Sequence, residues 1–400
     1  MHQDIREALG ICVDSPFWDE ALEVAIDSSE IPQWLTADYI CKIDKAYQLL
    51  GDKRDLVISA LEQVVSEPAL CILAKALYHI IDKKKDYSTA FAQLTLPEAD
   101  TLGCNLVGLF PVLGHISPSC DALARRKVPE EVIYDTLSFL RLSLPEILGQ
   151  EKPRFGETEF AYFPIYLYTD NLWIGRLRFE IHPNADRNVA AFANKSGGLC
   201  LLMRDTRLHT SGNCLGTIGF TDEAGSFDAN FVETDTYYEG YAVSTKSCRA
   251  ETTRTRLPKT EWKCIFAPGD TLLKVHIPYG GKLTREACDA AYEKARRIYT
   301  ACYPEHDFRG FICNTWLLCP ALLSFLPEHS NIRHFQDSYR IFPAKNTAAD
   351  VFLYVYGMTV SSANEVDFEK LPEDNSMQRG IKKLLLSGEY IHQYNGFIPF

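Results

Sequence analysis

Through about residue 145, apolar positions recur at spacings of three and four. WDEALEVAI, DLVISALEQVV and ALCILAKALYHII each place an apolar stripe along one side of a helix. In VPEEVIYDTLSFL, Pro129 and two acids, Glu130 and Glu131, mark a helix start. The first turn has no intrahelical use for an N–H at that point, and its dipole end favours negative charge. No repeat period is present. This periodicity predicts a helical domain over residues 1–150.

The pattern changes at GQEKPRFGETEF, where charge, Gly and Pro cluster. That composition suits a domain boundary near Gln150–Phe160. Beyond it, strand patterns dominate. FPIYLYT is followed by LWIGRLRFEIHP, in which Trp173, Gly175, Leu177, Phe179 and Ile181 alternate with Arg176, Arg178, Glu180 and His182. The alternation predicts one antiparallel strand, whose polar row faces either water or a ligand groove. EWKCIFAPGDTLLKVHIP reads as two strands joined by a Pro-Gly-Asp turn. FRGFICNTWLLCP reads as a further strand, EHSNIRHFQDSYRIF as a short helix capped by Ser330, and DVFLYVYGM as a final strand. MQRGIKKLLLSGEYI closes the chain as a helix. From Leu272 the order is strand, helix, strand, short helix, strand, which predicts parallel neighbours. The fold class expected is α/β in the mixed α+β sense, with a helical N-terminal domain before a mixed-sheet domain over residues 151–400.

The stretch VHIPYGGKLTREACDAAYEKARRIY, Val275–Tyr299, predicts a strand, a glycine turn and a helix. Leu272, Lys274 and His276 share one face of the strand, and Leu273, Val275 and Ile277 share the other. Pro278 lacks an N–H and ends the ladder. Gly280 and Gly281 permit positive φ and close backbone approach. Ala287, Ala291, Ala295, Ile298 and Cys302 form a small-residue stripe on the helix. Such a turn presents free N–H groups and a positive dipole end to an anion such as phosphate. It can equally be a plain chain reversal. PYGGKLTRE matches neither the G-x-G-x-x-G pattern nor the nucleotide P-loop, and Glu286 would compete with an anion there.

The chain has 400 residues, 46% of them hydrophobic, which suits two packed domains rather than one core or a disordered chain. Its net charge of −12 is uneven. Residues 1–150 hold 13 Lys/Arg against 23 Asp/Glu, and the rest hold 28 against 30. That balance disfavours nucleic acid as a partner. MHQDIREALGICVDSPFW has no basic stretch followed by an apolar run, so no leader is expected. No segment approaches the apolar length of a membrane span. The 13 cysteines are scattered, with no C-x-x-C pair, which suits a reducing, cytoplasmic setting and small buried side chains. No G-x-S-x-G elbow appears, and neither H-E-x-x-H nor a close His/Cys cluster suggests a metal site.

Four stretches, WIGRLRFEIHP, PGDTLLKVHIPYGGKLT, ICNTWLLCPAL and HSNIRHFQDSYRI, occur in this order. Together they resemble bacterial proteins that pair an N-acyltransferase N-terminal domain with a GNAT-like C-terminal domain. The resemblance covers roughly residues 155–360 by motif. It implies transfer of an acyl group from acyl-CoA, as co-substrate, to the amine of an unidentified small molecule or peptide. It also implies a coenzyme A diphosphate on the backbone of Tyr279, Gly280, Gly281, Lys282 and Leu283. Glu180 and His276 become the candidate bases, and Tyr339 the acid for the leaving thiolate. Trp316 becomes a wall of the acyl or pantetheine pocket. Structural roles compete with each: an ion pair for Glu180 and His276, packing on Phe335 for Tyr339, and a core position for Trp316. The turn lacks the Arg/Gln-x-x-Gly-x-Gly/Ala signature, and Cys319 stands where the family's Trp-Leu-Leu element is usually followed by Asp. A GNAT-shaped module that binds a ligand or protein without catalysis is the alternative function.

Overall fold

The computed structural model describes residues 16–28, 30–82, 95–183 and 188–400. Residues 1–15, which make up most of the stretch where no leader is expected, lie outside these. The chain forms two compact units, Met1–Ile174 and Gly175–Phe400.

In the first unit, the expected helical stripes form the helices Pro16–Asp27, Arg54–Ser66 and Pro68–Asp82. Their apolar faces bury Leu22, Val57, Leu61, Leu73 and Leu77. A helix also follows Pro129, at Glu130–Thr136, but it breaks at Leu137 and restarts as Ser138–Leu148. Among the described residues no single helix is long and apolar enough to cross a membrane.

The unit boundary falls at Ile174/Gly175 rather than at 150/151. The Gln150–Phe160 segment is a connection inside the first unit, because its aromatic residues are core. Phe155 and Phe160 are buried, Phe155 N–H donates to the Asn105 carbonyl at 2.9 Å, and the Phe155 ring packs on Phe163. FPIYLYT, expected as a strand, instead gives the 3-10 turn Phe163–Leu167. Pro164 lies in its first turn, where a fixed φ and a missing N–H cost nothing. The Tyr166 ring stacks on Phe139 with centroids 4.0 Å apart.

The expected long strand across Trp173–Ile181 is two strands, β1 (Asn171–Ile174) and β2 (Leu177–Pro183). Gly175 has φ +61°, which ends the first strand at a turn. The strands that follow are β3 (Val189–Asn194), β4 (Leu199–Met203), β5 (Arg207–Leu208), β6 (Phe227–Asp228), β7 (Val232–Glu233), β8 (Tyr237–Val243), β9 (Ala250–Pro258), β10 (Trp262–Phe266), β11 (Thr271–His276), β12 (Phe308–Thr315), β13 (Arg340–Pro343) and β14 (Tyr394–Pro399). One sheet of the second unit runs β2-β11-β12-β14-β13, and another runs β10-β3-β4-β8-β7 with β9 beside β8. β11 and β12 are parallel, as expected, and the long helix Arg285–Cys302 connects them. Both sheets contribute to one core, including Val189, Leu201, Met203, Phe266, Leu272, Ile312, Phe342 and Phe397. The two strands of EWKCIFAPGDTLLKVHIP therefore belong to different sheets. The Pro-Gly-Asp segment is the corner between them, fixed by Asp270 Oδ2 accepting the Ala267 N–H at 2.8 Å.

DVFLYVYGM, expected as the final strand, is the helix Asp350–Tyr356, closed by Gly357 at φ +67°. Val351 and Phe352 are buried while Leu353 and Tyr354 are exposed, so burial follows one side of a helix. A short apolar run does not by itself separate helix from strand. The last strand is β14, from YNGFIP. It inserts antiparallel between β12 and β13. The closing helix forms as expected, at Ser376–Leu386, capped by Asn375.

Candidate functional site

β2 and β11 run antiparallel, with Leu272 opposite His182, Lys274 opposite Glu180 and His276 opposite Arg178. Strand alternation puts these six side chains on one face. At one end of the row Leu272 is buried in the shared core. At the other, the side chains of His276 and Glu180 remain 27% and 34% exposed. Between them His276 Nε2 lies 2.7 Å from Glu180 Oε2.

Burial raises the Glu180 pKa, but the His276 hydrogen bond and the charges of His276, Lys274 and Arg178 outweigh it, leaving a net lowering. Burial lowers the His276 pKa, and Glu180 only partly restores it. At neutral pH the pair is thus a carboxylate and a neutral imidazole. The carboxylate must accept, so Nε2 carries the proton and Nδ1 keeps the ring's lone pair. A neutral histidine held this way can take a proton from an incoming ammonium.

β11 and β12 pair through Thr271↔Phe308, Leu273↔Phe311 and Lys274↔Ile312, and no further. Beyond that point β11 stays with β2 up to His276↔Arg178, while β12 stays with β14 up to Thr315↔Tyr394. The two parallel strands are therefore unpaired beyond Lys274, and His276 is the last residue of β11 on that unpaired end.

The turn after β11 is open. Tyr279 is 97% exposed, and Gly280 and Gly281 have φ of +93° and +64°. A Cβ on Gly280 would meet nothing within 4 Å. Among the described residues, no backbone carbonyl accepts an N–H from Gly280, Gly281, Lys282 or Leu283. Thr284 then caps the long helix by accepting the Ala287 N–H at 3.3 Å. Beside that helix lies a groove of about 370 Å³, lined by Arg285, Asp289, Tyr292, Arg296, Phe311 and Ser338, among others.

Tyr339 follows the short helix Asn331–Asp337 rather than lying within it. Its ring packs on Phe335 at 5.1 Å, and its hydroxyl lies 2.5 Å from that of Tyr292 on the long helix. Burial, followed by the neighbouring Tyr292 and Cys313, raises its pKa well above the ordinary value, so the phenol is protonated. Trp316 is buried and opens the 3-10 turn Trp316–Leu318 at the end of β12, instead of continuing the strand. Gln336 pins that turn by donating to the Leu317 and Cys319 carbonyls at 2.7 and 3.0 Å.

The structure thus pairs Glu180 with His276 and places the Tyr279–Leu283 turn three residues further along. Tyr339 sits on the other face of the sheet, beside Cys313 and the long helix. Sequence reasoning left out Tyr292, Lys274 and Arg178 as site residues. Lys274 and Arg178 were visible as members of the two polar rows. Tyr292 gave no signal, because a helical tyrosine reads as core. Substituting Tyr339→Phe strands the buried Tyr292 hydroxyl, which costs about 1–3 kcal/mol. Thermal unfolding should show the loss, and an unchanged melting temperature would mean that the hydroxyl pair contributes nothing.

Residues 172–398 match the GNAT-like C-terminal domain family. The chain belongs to this family. No curated protein matches the chain. Among solved structures, an acyltransferase in complex with decanoyl-CoA and teicoplanin has the same fold: TM-score 0.60 at 16% identity, covering 100% of this chain and 99% of that one. A mutant acyltransferase in complex with octanoyl-CoA matches with TM-score 0.59 at 17% identity over the same shares. The expected combination of a helical N-terminal part and a GNAT-like mixed-sheet domain is therefore the fold of this chain.

Proposed function

We propose that the protein transfers an acyl group from acyl-CoA to an amine on a small molecule or peptide. The observation that carries this reading is the end of β11–β12 pairing at Lys274, with the Glu180–His276 pair beside it and an open glycine turn at the end of β11. An open turn suits a bound diphosphate, whereas a turn plugged by side chains would suit a binder without catalysis. The acyltransferases of the same fold bound to decanoyl-CoA, octanoyl-CoA and, in one case, teicoplanin support the substrate class. Among the described residues no two cysteines are joined by a disulfide, which suits a reducing cytoplasm.

In this reading the diphosphate lies on the N–H groups of Gly280–Leu283, and Tyr279 flanks it. The pantetheine arm enters between the unpaired ends of the two strands, with Trp316 towards its far end. His276 Nδ1 takes a proton from the acceptor ammonium while Glu180 steadies the imidazolium that forms. The amine nitrogen attacks the thioester carbon, a C–N bond forms and the C–S bond breaks. The thiolate leaves with the electron pair of that bond, and Tyr339 is the candidate to protonate it. The second proton, which the nitrogen sheds as the amide forms, returns the phenol to its protonated state. The products are amide, thiol and the imidazolium, which then gives its proton to water.

Calorimetry with coenzyme A and decanoyl-CoA tests the reading. The wild type should bind both, and Gly281→Val should lose binding. A Cβ at Gly281 would sit 3.4 Å from Arg176 Cδ at a positive φ that β-branched residues avoid. Absence of wild-type binding at millimolar ligand would overturn the proposal.

A further inference from the structure

We propose that Arg176 is a phosphate-contacting residue, supplying the side-chain charge that holds the acyl donor's diphosphate at the Tyr279–Leu283 turn. The inference rests on the acyl-CoA reading above and adds a residue from a remote part of the chain.

Arg176 lies in the turn between β1 and β2, 102 positions before the carbonyl it grips. Its Nη1 donates to the Pro278 carbonyl at 2.9 Å. A Cβ built on Gly281 would come within 3.4 Å of its Cδ and 3.5 Å of its Nε, so the side chain runs directly along the glycine turn. Nε is shielded from solvent and has no hydrogen-bond partner. Nη2 makes no hydrogen bond to the described residues and is not enclosed.

Arg176 also lacks an anion. Arg54, Arg204, Arg207, Arg254, Arg256 and Arg309 each lie within 4 Å of a carboxylate. Among the described residues Arg176 has no such pair. Burial is the main influence on its pKa and lowers it, while the nearby Cys288 thiol, itself pushed up to about 11 by burial, is uncharged at neutral pH. A partly desolvated guanidinium without a counter-charge is costly unless a ligand completes it. Beside it lie the unpaired N–H groups of the turn and the positive end of an 18-residue helix. Glu286 is exposed in the first helical turn, where water screens its single charge, so it does not neutralise all three. A diphosphate supplies the missing negative charge, and a guanidinium is the side chain best shaped to meet it. The bond to Pro278 then has a second effect: it fixes the turn in the open form that the ligand needs.

Two ligands separate this role from a purely structural one. Decanoyl-CoA carries the diphosphate, and S-decanoylpantetheine carries the same thioester and arm without it. Calorimetric Kd values are compared for the wild type, Arg176→Gln and Arg176→Lys, with melting temperatures alongside. Arg176→Gln should weaken decanoyl-CoA about 10- to 100-fold, the span of one or two charge-assisted hydrogen bonds. It should leave S-decanoylpantetheine within about twofold, and Arg176→Lys should recover part of the loss. An equal loss for both ligands would reduce Arg176 to a brace for the turn and overturn the proposal. So would unchanged decanoyl-CoA binding in Arg176→Gln, and in either case the acyl-CoA reading would stand. A wild type that binds neither ligand would overturn both.

Discussion

Replacing His276 with glutamine should lower acyl-transfer turnover by about 10²–10⁴-fold, the usual contribution of one positioned acid or base. Glutamine keeps a donor near Glu180 but has no titratable lone pair to receive the ammonium proton. The pH profile gives the sharper readout. His276 works as a base only when neutral, and burial lowers its pKa from the ordinary 6.5. The acid limb of kcat/KM should therefore lie below the ordinary histidine range, with full activity at neutral pH. Glu180 acts on His276 in the opposite direction, since its hydrogen bond and charge raise the histidine's pKa. Glu180→Gln should consequently shift the acid limb to still lower pH while reducing kcat. A limb that moves upward, or turnover unaffected by both substitutions, would remove the pair from the chemistry and leave it as a structural hydrogen-bonded pair.

That pair was legible in the sequence only in fragments. Strand alternation put Glu180 on one polar row and His276 on another, but nothing in a linear pattern fixes the register that brings them to 2.7 Å. Register comes from long-range pairing, here Lys274 opposite Glu180. The strand–turn–helix after Thr271 was legible because each part carries its own local signal: alternation, two glycines, then a small-residue stripe. The errors share one cause. FPIYLYT and DVFLYVYGM are short, aromatic and apolar, so composition suggests strand where burial on one side makes a helical turn. YNGFIP carries the opposite disguise. Its Gly and Pro resemble a loop, yet Gly396 is the residue that leaves room for the Tyr339 ring, since a Cβ there would lie 2.6 Å from Tyr339 Cδ1. The missing linker at 150–160 has the same logic, because Phe155 and Phe160 turn a polar-looking segment into core. Arg176 shows the limit of motif reading most clearly. A residue 102 positions away can serve a turn whose own sequence matches no phosphate-binding pattern.

Phe397→Ala should destabilise the C-terminal unit by about 3–5 kcal/mol, the range for deleting a fully buried aromatic side chain. In a unit of this size that corresponds to a drop of roughly 10 °C in melting temperature. Phe397 is fully buried on β14, opposite Ile312 of β12 on one side and Arg340 of β13 on the other. Its ring stacks on Phe266 of the other sheet, with centroids 5.3 Å apart. One side chain thus ties the strand between β12 and β13 to the facing sheet. Gly310 makes this packing possible, since a Cβ there would lie 2.7 Å from the Phe397 ring. Phe400, three residues on, is the control. Its ring also meets Phe311, at 5.0 Å, but it is only partly buried and lies past the end of β14. Phe400→Ala should therefore cost well under half as much, because less apolar area leaves water there. Equilibrium unfolding of the two variants beside the wild type decides the matter. Equal small losses, near 1 kcal/mol or less, would mean that β14 is an appendage and not part of the folding unit. The expected difference would make the last seven residues integral to the domain. It would also make them the outer brace for β12, the strand whose pairing with β11 ends at the proposed site.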